Sequence, residues 1–190
     1  MMPLFAKVVG GEIVAREQKE SPASKTSSDG GPAWRPIVED KPAFDARNQR
    51  LMGPIDVIEQ DRVVRQWTVE AIPHADMANR VALERERRLQ AGFDYDFGDG
   101  RGVHRIGTTN ADMVGWREVT DLANALIATN NGSTTINVLT DTGAVGVTAT
   151  EWANVLIAAA QFRQPFWAAS FAIQALDPIP ADYADDARWP

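Results

Sequence analysis

Between residues 92 and 106 the chain reads GFDYDFGDGRGVHRI, and three of its carboxylates, Asp94, Asp96 and Asp99, are close enough in sequence to share a cation or a proton. A calcium loop between two helices needs acidic oxygens at alternate positions, a glycine at the sixth and a glutamate at the twelfth. Counted from Asp94, Asp96 fits, but Asp99 and Gly100 arrive one place late, and Arg105 stands where the closing glutamate belongs. A guanidinium at that position repels a cation. Glycoside cleavage needs two carboxylates set across a cleft, and neighbours on one exposed strand do not supply that. A hairpin accounts for the whole stretch: Phe93, Tyr95 and Phe97 share one face, Asp94 and Asp96 face water, Gly98 to Gly102 make the turn, and Val103 to Thr108 return.

Other groups that could carry a reaction are few. The chain has no cysteine, which excludes disulfides, thiolate catalysis and cysteine-ligated metals. Its two histidines, His74 and His104, have no nucleophile evident beside them in sequence, and each reads as a surface or capping residue. The nucleophile elbow G-x-S-x-G, the phosphate loop G-x-x-x-x-G-K-[ST], the zinc motif H-E-x-x-H and a strand-borne G-x-G-x-x-G are all missing. No residue is therefore assigned to catalysis, a cofactor or a metal, and no enzyme activity is expected. A net charge of −7 argues against a general nucleic-acid-binding surface, so Arg85, Arg87 and Arg88, within the run Glu84 to Arg88, read as a solvated face. Six tryptophans among 190 residues instead point to large aromatic contacts in a core or an interface.

The elements that position these residues fall into five stretches. Residues 1–17 read as a hairpin and docking segment, with Gly10-Gly11 supplying a two-residue turn between Val8-Val9 and Ile13-Val14. Residues 18–33, rich in Ser, Lys, Gly and Pro, read as a flexible linker. Residues 34–74 are β-rich, and Pro36, Pro42 and Gly53-Pro54 predict strands at edges or in a loose ribbon, because proline cannot donate to a ladder. The clearest hairpin there is DVIEQDRVVRQWTV, turning at Glu59 to Arg62; alone, the block buries only a thin core.

Residues 75–177 read as a compact α+β domain of about three helices and two β-hairpins. The first helix ends before Gly92, with a narrow stripe of Met77, Val81, Ala82 and Leu89. Asn110 or Asp112 caps the second, along which Met113, Trp116, Val119, Ala123 and Leu126 recur at helical spacing. A hairpin turning at Asp141-Thr142-Gly143 leads to Thr148-Ala-Thr-Glu151, a capping box opening the longest helix, whose apolar stripe runs from Trp152 to Leu176. Pro165 should kink or split that helix. The acidic tail, residues 178–190, is either disordered or docked through Tyr183 and Trp189. No apolar run approaches the ~20 residues a membrane span needs. The opening MMPLFAKVVGGEIV lacks the basic flank and cleavage site of a secretory leader, so none is expected.

The order of parts resembles an uncharacterised bacteriophage family. It runs R-R-L-x-x-G-F-x-Y from Arg87 to Tyr95, a hairpin, a T-N-A-D helix start at Thr109 to Asp112, N-V-L-T-D-T-G-A-V-G-V-T, and a final helix opening T-A-x-E-W. Members of that family often form the C-terminal domain of tail-fibre-associated or tail-assembly proteins. The preceding W-x-P-I-V, P-A-F-D, Q-R-L and W-T-V segments are similar to those that precede this domain in many phage tail proteins, so the likeness covers about residues 34 to 176. It implies a virion protein of the tail tip or fibre base, made in the host cytoplasm, with other tail proteins as partners and a homo-oligomeric state. The alternatives it leaves open are a fibre-assembly chaperone and a binder of host-surface receptors or glycans.

Overall fold

The structure is a computed structural model and describes residues 2–18 and 33–190, so most of the expected linker lies outside the described residues. The chain divides into two compact units, Met1–Ile72 and Pro73–Pro190. Among the described residues there are nine strands and three α-helices, an α+β composition as the sequence led us to expect.

Unit 1 is a five-stranded sheet. Its strands are β1 (Leu4–Val9), β2 (Glu12–Gln18), β3 (Ala33–Asp40), β4 (Gln49–Ile58) and β5 (Val63–Ala71), in the order β2-β1-β3-β5-β4. Gly10 and Gly11 take φ of 57° and 84°, the left-handed pair that a tight β1–β2 turn requires. The hairpin of β4 and β5 closes at Ile58↔Val63, with the Glu59 amide donating to the Arg62 carbonyl. Two placements differ from the sequence reading. The N-terminal hairpin is built into the sheet, because β1 pairs antiparallel with β3. Strand β3, despite Pro36, is the middle strand and not an edge. Pro36 stands where the antiparallel ladder to β1 ends and the parallel ladder to β5 begins, so the lost donor falls between two ladders. Gly53-Pro54 does sit on an edge strand, at an irregularity in the β4–β5 register, where a missing donor is tolerated.

The sheet coils on itself. Arg16 on β2 donates to Asp56 on β4 at 2.8 Å, although these are the two outermost strands. Flat, they would lie about 19 Å apart at ~4.8 Å per strand, beyond such a contact. Ala6, Val8 and Val63 are buried inside the curve, with Ile13, Ile37 and Ile58 against them, so the β-rich block shares its small core with the N-terminal hairpin.

Unit 2 alternates helices with hairpins. Its elements are α1 (His74–Leu89), the pair β6 (Phe93–Asp96) and β7 (Val103–Ile106), α2 (Asn110–Ala128), the pair β8 (Thr135–Thr140) and β9 (Gly143–Thr148), and α3 (Ala149–Gln174). Helix α1 buries Met77, Val81 and Leu89 of the expected stripe, while Ala82 is only half-buried. Gly92 follows at φ 75°; a Cβ there would stand 2.8 Å from the Ile106 carbonyl oxygen, so only glycine lets β6 start this close to β7. The buried Thr108 hydroxyl joins the two elements, donating to the Leu89 carbonyl and accepting from the Gly92 amide. Helix α2 is capped by neither Asn110 nor Asp112 as N-cap: Thr109 takes that place, and Asp112 closes a capping box with it.

Helix α3 opens with the Thr148–Glu151 box, as read from the sequence. It is continuous through Pro165, so the expected split does not occur. The carbonyl one turn back that loses its donor belongs to the exposed Gln161, where water can serve it. Buried Trp116 and Trp152 meet edge to face at 5.5 Å, and Phe93 stacks on Phe162 at 5.4 Å. Ile136, Val138, Val145 and Val147 from β8 and β9 complete this core. The acidic tail is docked: Ile179 and Trp189 are buried, and the Trp189 indole donates to the Tyr183 carbonyl at 2.8 Å.

Candidate functional site

The stretch GFDYDFGDGRGVHRI forms the β6–β7 hairpin, in which Asp94 faces Arg105 and Tyr95 faces His104. Phe93, Tyr95 and Phe97 pack on the core while Asp94 and Asp96 are exposed. Each of the three carboxylates has a partner within the hairpin. Asp94 pairs with Arg105 at 3.1 Å, Asp96 accepts the Gly98 amide at 2.8 Å, and Asp99 accepts both the amide and the guanidinium of Arg101. Among the described residues no three His, Cys, Asp or Glu side chains converge as a metal site would require.

The residue that ties this loop into the rest of unit 2 is its arginine, which the sequence reading passed over. Arg101 lies over the Phe97 ring at 4.4 Å, donates to Glu151 Oε1 at 2.6 Å and reaches the Gly146 carbonyl at 2.8 Å. It bolts the hairpin to β9 and to the capping box of α3. The Arg101 hydrogen bond, helped by the Thr148 amide, holds Glu151 at about 2 against its ordinary 4.5. Arg101 does the same to Asp99, which also falls to about 2. Carboxylates held this low stay ionised near neutral pH and cannot donate a proton there.

The histidines do not assemble a catalytic pair. His74 is exposed and its Nε2 meets the Leu176 carbonyl at 3.1 Å. His104 touches the Thr140 and Thr142 hydroxyls through Nδ1 and lies edge-on to Phe97. The charge run of α1, expected to be a solvated face, is largely a packing surface. Arg85, only 11% exposed, lies 3.6 Å over the Trp167 ring and reaches Ser170, which is fully buried on α3. Arg88 bonds Glu84, Asp186 and the Ala184 carbonyl while facing Trp189, so it fastens the tail. Arg87 alone of the three stays exposed, paired with Glu84, whose carboxyl it pulls below the usual range with the help of Arg88. A cationic side chain next to an aromatic face packs well once paired, and the apolar spacing rule gives no sign of it.

Clefts open on unit 2, and two of them bear on function. One, of about 490 Å³, lies between Phe162, Phe166 and three arginines, Arg87, Arg88 and Arg105, each held by a carboxylate. The other, of about 320 Å³, lies between α2 and β8.

On unit 1 the notable surface is apolar. The register puts Val38, Val57, Ile55 and Met52 on one face across β3, β5 and β4, and they are 46, 38, 66 and 39% exposed. The opposite face carries the core and the Arg16–Asp56–Arg65 chain, in which Arg65 is the main cause of the lowered Asp56 carboxyl. No helix among the described residues is long and apolar enough to cross a membrane. Comparison with protein-family profiles, curated proteins and solved structures returned no match.

Proposed function

We propose that the protein is a structural component of a bacteriophage tail, at the tail tip or fibre base, and works by protein–protein assembly rather than by catalysis. The observation that carries this reading is the outward apolar band of unit 1, Val38, Met52, Ile55 and Val57, on a sheet whose opposite face has only a thin core. Such a band is costly in water and useful once another polypeptide covers it. The pairing of the charged side chains supports the same reading, since Arg85, Arg88 and Arg101 are engaged in holding elements together. The likeness of residues 34 to 176 to phage tail segments supplies the setting. A homo-oligomer of closed symmetry would bring the same band from each copy to its interfaces.

Substitution at the band tests this directly. Ile55→Lys changes a side chain that is already two-thirds exposed, so folding and thermal midpoint should be kept. The wild-type chain should run as an oligomer in light scattering and co-sediment with tails, and the variant should do neither. A variant that assembles like the wild type would remove this face from the interface.

A further inference from the structure

Strand β8 has one edge that the protein leaves open. In the β8–β9 ladder a two-residue turn, Asp141-Thr142, makes Thr140↔Gly143 the first bonded pair. Val138↔Val145 and Ile136↔Val147 follow, and the Ala149 amide continues the alternation by donating to the Thr134 carbonyl. Asn137 and Leu139 must therefore aim their N–H and C=O groups at the opposite edge. There the sheet has no third strand, and no backbone group of another described element bonds them. Only the end of this edge is used, where the Asp141 amide donates to the Arg105 carbonyl at 2.9 Å. The other edge of the hairpin is blunted, because Arg101 occupies the Gly146 carbonyl.

The groove of about 320 Å³ occupies the vacant strand position. Trp116 and Trp152, nearly buried, form its floor, and Gly107 and Gly115 line it without side chains. Leu139 beside it is 83% exposed, more than any other large hydrophobic side chain among the described residues. Open edges bearing exposed leucine invite another strand. Asp112, Glu118 and Asp141 are the charged residues that line the groove; lysine and arginine are absent from its lining.

We infer that an extended segment of a partner protein, with lysine or arginine next to a small apolar residue, adds to β8 as a strand in this groove. Main-chain bonds to Asn137 and Leu139 provide the affinity, the carboxylates select basic side chains, and the tryptophan floor takes the apolar one. This deepens the assembly reading and rests on it for its biological setting, while the binding itself is measurable without phage particles.

The test is titration of the full chain with a capped hexapeptide of alternating lysine and valine, followed by NMR and amide exchange. Saturable binding is expected, with slowed exchange at the Asn137 and Leu139 amides. Leu139→Pro removes an outward donor and no bond to β9, so it should keep the thermal midpoint and weaken binding roughly tenfold or more. Gly115→Leu has open space for its side chain and should plug the groove with the same effect; it decides the matter if the proline variant fails to fold. An alternating glutamate–valine peptide should bind at least roughly tenfold more weakly. Absence of binding, binding indifferent to Gly115→Leu, or equal binding of the acidic peptide would each overturn the inference. A chain present in tails yet blind to the peptide would lose this groove and keep its function.

Discussion

Arg101 carries more structure than any other side chain of the turn it belongs to. It ties Asp99, two residues away, to Glu151, fifty residues away, and both carboxyls are held at about 2. Their folded values lie below the ordinary 3.8 and 4.5, so the stabilisation is fully present above about pH 4.5 and is lost as pH falls toward 2. Arg101→Met should lower the thermal midpoint at pH 7 and flatten its decline between pH 4.5 and 2. Parallel melts of the two proteins check this; identical acid profiles would show that the bolt does not operate. Arg85 has a different role, with its guanidinium carbon 3.6 Å from the centre of the Trp167 ring. Arg85→Ala should cost about 1–2 kcal/mol in denaturant unfolding, and Arg85→Lys should restore only part, since an ammonium cannot stack as a planar guanidinium does. Neither role was legible in the sequence: an arginine in a turn or a charge run looks solvated until its distant partner is known.

At the scale of elements, local chemistry was legible and partner choice was not. The Gly10-Gly11 turn, the Glu59 to Arg62 turn, the Thr148–Glu151 box and the β6–β7 hairpin depend on residues within a few positions of each other, and all were read correctly. The order β2-β1-β3-β5-β4, with a proline-bearing strand in the middle, depends on pairings across the sheet that no local pattern encodes. The tail lay between these cases, because Trp189 was a plausible anchor with no visible socket. Arg88 and the Tyr183 carbonyl supply one. Trp189→Ala should therefore destabilise unit 2 by about 3 kcal/mol, read as a lower urea midpoint at unchanged slope. An unchanged midpoint would mean that the tail only rests on the surface. Thr148→Ala should cost about 1 kcal/mol in the same assay, through the lost cap of α3.

At the scale of the whole molecule, the two units divide the labour of burial unequally. Unit 2 has a full aromatic core and one open strand edge; unit 1 has a thin core and an apolar outer band. Under the proposed assembly role, both are surfaces that another chain would cover. Quantitative mass spectrometry of purified phage particles tests that role most directly. A structural tail component should be present in infectious particles at a fixed, small whole-number ratio to other tail proteins. Its absence from them, with the chain left behind in the lysate, would contradict the structural role.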